Sequence, residues 1–310
     1  MVQQMKRYLG QKLISFVLTI VIANLAAFLI LNVLPGDPAL LMLGTEGSAE
    51  AYARLRSELN LDQPPLVRYF TWLFQFFRGQ WGVSVRYSMP VRELVASAFP
   101  LSLTLAVLAV GTAVVIAVPT GMFMAVRPRS PLGRLFSWFT QVGMALPQFW
   151  VGLLLIQVFA VQLGLLPAGG NMGWVSFILP VATLALPRTS IFSRMVKTGM
   201  AQTLQQDYIR TAFAKGLPAR VVYFKHSLRN GSLALATIAG LQFSQLFAGT
   251  IVVEHVFGLP GLGRLLLTGV LARDVPLVQA LIMLVVLMIL LFNLLFDLAL
   301  GLLDPRLRYE

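Results

Sequence analysis

Between Asp207 and Asn230 the chain reads DYIRTAFAKGLPARVVYFKHSLRN, where Arg210, Lys215, Arg220, Lys225 and Arg229 stand against Asp207 alone. Cationic side chains at this density supply charge-assisted hydrogen bonds and a positive field; they hold a partner rather than break a bond. Residues suited to covalent chemistry are scarce. There is no cysteine, which excludes disulfides, thiolate metal sites and iron–sulfur ligation. The only histidines are His226 and His255. No glycine is followed by Gly-Lys-Ser/Thr at Walker A spacing, and no zinc-protease or nucleophile-elbow motif occurs. Neither nucleotide hydrolysis nor covalent catalysis is expected of this chain.

The elements around the island are apolar. Of 310 residues 57% are hydrophobic and 12% charged, about half the charge of a soluble domain. The net charge of +12 does not indicate a nucleic-acid partner, because long apolar runs dominate over any solvated basic face. A helix needs about 20 apolar residues to cross a core of about 30 Å. Six windows qualify, 13–34, 101–126, 136–162, 176–196, 231–253 and 276–300, within one transmembrane domain covering 1–310. Lipid leaves no backbone group unbonded, so the spans are helices and the fold class is all-α integral membrane. The first window follows Lys6, Arg7 and Lys12 but is too long for a signal-peptide core, and it reads as a retained span. Pro119, Pro147, Pro180 and Pro187 fall inside spans, where bends tolerated in a packed bundle are expected.

Charge sets the orientation. With the N-terminus inside, sixteen of the 24 basic residues face the cytoplasm with only Asp207, Asp297, Asp304 and Glu310, so the whole surplus lies there. This satisfies the positive-inside rule and gives an N-in, C-in topology. It places His226 and His255 on opposite sides of the bilayer, so no paired metal site is expected. The segment 35–98 is then an external insert. It opens with Pro35-Gly36-Asp37-Pro38, and Ser48 caps a short helix through Glu58 with Glu50 in its first turn. Tyr69, Phe70, Trp72, Phe74, Phe76, Phe77 and Trp81 form an aromatic cluster read as interfacial anchors, with ligand stacking as the alternative.

A transport role needs an energy source. The only acid inside a window is Asp297, near one end of the last, where pairing with a neighbouring cation is its default reading. There is no acid relay and no arginine ladder, so the energy must come from a partner. Gly216-Leu217-Pro218 divides the cytoplasmic loop 197–230 into two helix-prone halves. The first, about Leu204 to Lys215, is expected to be about 18 Å long, with Tyr208, Ala212 and Leu204 on one face and Asp207, Arg210 and Lys215 around it. The alternative is a basic loop resting on anionic lipid, which needs neither the Gly-Leu-Pro break nor a small-residue surface.

The island resembles the cytoplasmic EAA loop of bacterial ABC-importer permeases. Arg210-Thr211-Ala212 and Gly216 occupy the motif positions, with arginine replacing the usual glutamate as in the dipeptide, oligopeptide and nickel branch. His226-Ser227-Leu228-Arg229-Asn230 is similar to that branch's HxLRN. Leu34 to Pro38 resembles LPGDP, and Leu59 to Pro64 resembles LGLDxP. Val252-Val253-Glu254 with Phe257 and Pro260 to Arg264 resembles VVExxFxxPGLGR, Arg273-Asp274 with Pro276 RDxP, and Leu303 to Arg306 LDPR.

The resemblance implies a type I importer transmembrane domain in the bacterial inner membrane, working by alternating access as one permease of a pair. The other permease is expected to be a sister chain. ATP and Mg belong to two cytoplasmic ABC ATPases, and a solute-binding protein delivers substrate from outside; the chain itself carries no cofactor. By the same resemblance Asp207, Tyr208, Arg210, Thr211, Ala212, Lys215 and Gly216 form the coupling helix, and Glu254, Phe257, Gly261 and Arg264 are candidates for the external gate or binding-protein contact. The solute is expected to be a di- or oligopeptide, with nickel, a metal chelate or glutathione as alternatives. A secondary carrier or a membrane scaffold are the readings from other classes, and they leave the outer motifs unexplained.

Overall fold

The computed structural model describes residues 2–33, 48–58, 62–170, 173–228, 242, 245, 246 and 249–303. Leu34 to Pro38, residues 59–61, Arg229, Asn230, most of the 231–253 window, the side chain of Asp297 and Asp304 to Arg306 lie outside the described residues. In chain order the helices are α1 (Val2–Val33), α2 (Ala49–Glu58), α3 (Pro65–Phe77), α4 (Val91–Val126), α5 (Pro131–Ala145), α6 (Gln148–Leu155), α7 (Ile178–Leu204), α8 (Asp207–Ala214), α9 (Ala219–Val221), α10 (Leu262–Leu271) and α11 (Val275–Leu303). Residues Ile156–Gln162 and Val222–Leu228 are π-helical, a 3₁₀ turn at Gly173–Phe177 leads into α7, and residues 249–256 are helical. The one strand-like feature among the described residues is an isolated bridge between Val83 and Pro90.

Val91–Val126, Gly173–Leu204 and Val275–Leu295 are long and apolar enough to cross a membrane. The first begins at Val91, well before the apolar window that starts near Leu101. The 136–162 window is not one bent helix. α5 and the Gln148–Gln162 helix meet at 109°. Leu146 is extended there (φ −76°, ψ 131°), because a proline ring disfavours α geometry in the residue before it. Pro187, by contrast, stays inside a continuous α7.

The chain forms two compact units. One comprises Met1–Leu101 and Pro260–Leu291, the other Ser102–Leu259 and Phe292–Glu310. In the first, Ile20, Phe76, Val91, Val95, Leu262, Leu277 and Leu281 form the core. The aromatic cluster splits across α3. Tyr69 and Phe76 are buried, with Trp72 and Trp81 partly so, while Phe70, Phe74 and Phe77 are exposed on the other face. The buried half is therefore core rather than anchor: Phe76 stacks on Trp81 at 4.9 Å, and the Tyr69 hydroxyl donates to the Val21 carbonyl at 2.9 Å. Burial pushes the Tyr69 phenol above its ordinary pKa.

In the second unit α7 packs against α4 and α5 through small residues. A Cβ on Gly121 would fall 2.6 Å from the Ser193 carbonyl, and one on Gly143 would collide with the Ser190 hydroxyl. Such close approach lets the helices gain dispersion contacts that lipid cannot supply. Ala113, Ala117, Ala185, Phe192, Val196 and Met200 fill the space between them.

Candidate functional site

The basic island begins where α7 ends. Gln205 and Gln206 turn the chain, Gln206 takes an extended conformation (φ −75°, ψ 147°), and α8 starts at Asp207, whose carboxylate suits the helix N-terminus. The helix is only eight residues long, shorter than the expected Leu204–Lys215. It closes at Gly216 (φ +76°): the Gly216 amide donates to the Phe213 carbonyl at 2.9 Å and the Leu217 amide to Ala212 at 3.3 Å. This is the paired C-terminal bonding that needs a left-handed residue, which glycine adopts without a Cβ penalty. Pro218 then starts α9, which passes into the π-helical Val222–Leu228.

α8 has two faces. Ile209 and Ala212 are buried with Val222 and Leu204 in a small cluster of their own. Asp207, Tyr208, Arg210, Thr211, Lys215 and Gly216 are exposed, as is Phe213. Ala212 thus departs from its expected place on the outward surface. Its spacing from Ile209 puts it on the inner face, where it seats the helix. Arg210 reaches Asp207 at 3.4 Å, a fully solvated pair of small energetic weight.

The outer candidates separate likewise. Glu254 is fully buried near the end of the 249–256 helix, where its Oε1 accepts the Ser102 hydroxyl at 2.6 Å. Phe257 is buried too, and its carbonyl accepts the Gly170 amide at 3.2 Å. In the other unit Gly261 is buried as the N-cap of α10, and only Arg264 of the four is exposed. Nearby, Asp274 is fully buried although the sequence offered no role for it. Its carboxylate accepts the Ser84 hydroxyl at 2.5 Å, the Arg86 amide at 3.0 Å and the Leu277 amide at 3.2 Å. It thereby ties the loop after α3 to the start of α11.

A groove of about 560 Å³ opens between α4, α5 and α7. Its walls are apolar, with Ile116, Phe136, Phe139 and Leu186 among them, and they carry the hydroxyls of Thr112, Thr120, Thr140, Thr189, Ser190 and Ser193. Thr120 and Ser193 bond to each other across it at 2.7 Å. No charged residue lines it.

The family model described as binding-protein-dependent transport system inner membrane component matches residues 117–309, and its N-terminal counterpart matches residues 5–106. The chain belongs to this family. The glutathione transport system permease proteins GsiC of Salmonella paratyphi A and of Escherichia coli K12 are each 38% identical to it over 307 residues, 99% of this chain and 100% of theirs. Its fold is that of the inward-facing MetNI methionine ABC transporter (TM-score 0.60, 18% identity, 69% of this chain and 98% of that one). A second neighbour is an amino acid ABC transporter (TM-score 0.50, 21% identity, 69% and 94%). The protein is an ABC-importer permease of the inner membrane with a type I transmembrane domain.

In this permease most of the candidate coupling residues are exposed on and just after α8, whereas of the four outer candidates only Arg264 is exposed. Sequence reasoning missed the groove and Arg188. Arg188 was counted with the cytoplasmic cations, but it lies inside α7 with 8% exposure, and its Nε has no hydrogen-bond partner. Its place inside the 176–196 window, with Ile191, Phe192, Met195 and Val196 beyond it, was the available signal.

Proposed function

We propose that this permease forms half of the translocation pathway of an ATP-driven importer for small peptides, with α8 as the element that receives work from a cytoplasmic ATPase. The observation that carries the reading is the exposed face of α8. It presents Tyr208, Arg210, Thr211 and Lys215 from a short helix held by its own buried cluster and closed at Gly216. A rigid helix of this kind transmits a push, which a solvated loop cannot. ATP and Mg act on the two ATPase subunits, a solute-binding protein supplies substrate, and a sister permease completes the pathway as a heterodimer. Closure of the ATPases moves α8 and turns the bundle outward, a rigid-body step. The groove between α4, α5 and α7 is the part of the pathway supplied by this chain.

Glutathione is the second reading, supported by the 38% identity to glutathione permeases across the whole chain. It is itself a tripeptide, so both readings share an amide backbone and free carboxylates.

The test is reconstitution of the permease with its sister, ATPases and binding protein in liposomes. Accumulation of labelled tri-alanine or glutathione that requires ATP and binding protein is expected. Uptake by this chain alone, driven by an ion gradient and indifferent to ATP, would overturn the proposal in favour of a secondary carrier.

A further inference from the structure

We infer that Lys197 and Arg194 are the anion-recognising end of the groove, and that they select solutes bearing a free carboxylate during transit; this rests on the pathway reading given to the groove above. Lys197 and Arg194 follow the lining residues Ser193 and Ser190 by four positions each, so they continue the same face of α7 by one turn. Both reach across to α5, at residues next in sequence to lining ones. The Lys197 ammonium donates to the Ser137 hydroxyl at 3.2 Å, beside the lining residue Phe136. The Arg194 guanidinium lies 3.7 Å from the Met144 sulfur, beside the lining residue Gly143. A thioether is a weak acceptor and one hydroxyl leaves two ammonium protons, so most of this donor capacity is unspent.

Among the described residues, no carboxylate pairs with either cation. The described acids of this unit are Asp207, paired with the exposed Arg210, and Glu254, bonded to Ser102. The groove itself carries hydroxyls and no charge. An anion in such a low-dielectric channel is expelled unless a cation meets it, whereas a second cation is repelled. A peptide fits both parts: the hydroxyl protons of Thr120, Thr140 and Ser190 go to helix carbonyls, which leaves hydroxyl oxygens to accept its amide N–H groups, and its terminal carboxylate meets the guanidinium fork and the ammonium group. On the N-in topology these cations sit toward the cytoplasmic end, so the carboxylate end of the solute leads toward release. Selectivity then resides partly in the permease and is not confined to the binding protein.

The absence of native cysteine allows a charge-rescue experiment in this chain. The full importer is reconstituted with Lys197→Cys, Arg194→Ala or both, using labelled tri-alanine and glutathione as probes. Uptake is expected to fall at least about tenfold while binding-protein-stimulated ATP hydrolysis persists, because a lost charge-assisted bond is worth about 1.5–3 kcal/mol. Treating the Lys197→Cys importer with a trimethylammonium thiosulfonate should restore uptake, and the sulfonate-bearing reagent should not. Equal uptake by variant and unaltered importers overturns the inference, as does rescue by either reagent regardless of charge. Parallel loss of hydrolysis and uptake, reversed by added anionic phospholipid, also overturns it and assigns the cations to lipid. If the unaltered importer moves neither probe with ATP, the function proposed above fails first.

Discussion

The Leu217 amide donates to the Ala212 carbonyl at 3.3 Å, spanning the left-handed Gly216. This bond joins the buried face of α8 to its exit, because Ala212 packs on Ile209 and Val222 while Leu217 starts the path to α9. The direction of the exposed face, with Tyr208, Arg210 and Lys215, is therefore set by backbone geometry and by a small core.

Gly216 is required for its dihedral angle and not for space, since nothing lies within 4 Å of an added Cβ. Gly216→Ala should cost about 1–2 kcal/mol in the local closure. Gly216→Asn should be milder, because asparagine tolerates the left-handed region, and Gly216→Val harsher. Uptake and ATPase co-purification should fall in the order Asn, Ala, Val. Equal effects of all three would contradict the conformational account.

Ala212 and Tyr208 should fail differently. Ala212→Leu overfills the cluster with Ile209 and Val222 and should cost about 1–3 kcal/mol, seen as faster proteolysis of the 205–218 segment. Tyr208→Ala removes an exposed ring and should leave proteolysis unchanged while weakening ATPase retention. Protease resistance lost in Tyr208→Ala but kept in Ala212→Leu would reverse the assignment of faces.

The helical class and the short helix closed at Gly216 were legible in apolar runs, in the Gly-Leu-Pro break and in the motif series. Which face of α8 turns inward was not, because eight residues carry too few turns to fix a face without Val222, which lies beyond the break. Pro147 and Pro187 look alike in sequence, yet one ends a helix at 109° to the next and the other sits within α7. The difference lies in the conformation of the preceding residue and in packing. Glu254 read as an outer-loop acid because its hydroxyl partner, Ser102, is 152 positions away. Still longer separations hid Asp274, whose ties to Ser84 and Arg86 span 190 and 188 positions. Arg188 was hidden by a topology rule that counts cations without asking which are buried.

Ser102→Ala removes a hydroxyl donor from the buried Glu254 carboxylate and should lower stability by about 1.5–3 kcal/mol. Glu254→Gln keeps the shape and an acceptor, so its loss should be smaller than that of Glu254→Ala. Thermal unfolding of the detergent-purified permease reads both. An unchanged Tm for Ser102→Ala would show that the bond contributes nothing.

Asp274→Ala should free the 80–90 loop by removing the acceptor for Ser84 and Arg86, and should remove the N-terminal bond to Leu277, worth about 1 kcal/mol. Proteolysis within 80–90 should accelerate, and Asp274→Asn should be intermediate because it retains one acceptor oxygen. Unaltered cleavage in Asp274→Ala would mean that other contacts hold the loop.

The role proposed for α8 is to carry the work of ATP binding into the permease. A single cysteine at Tyr208, in a chain that has none, can be cross-linked to cysteines placed along the ATPase cleft in the assembled importer. Efficient cross-linking to the ATPase is expected, with a partner position that shifts between nucleotide-free and ATP-trapped states, and loss of uptake once the link forms. Absence of any cross-link from Tyr208→Cys, alongside full ATP-dependent uptake by the same importer, would contradict it.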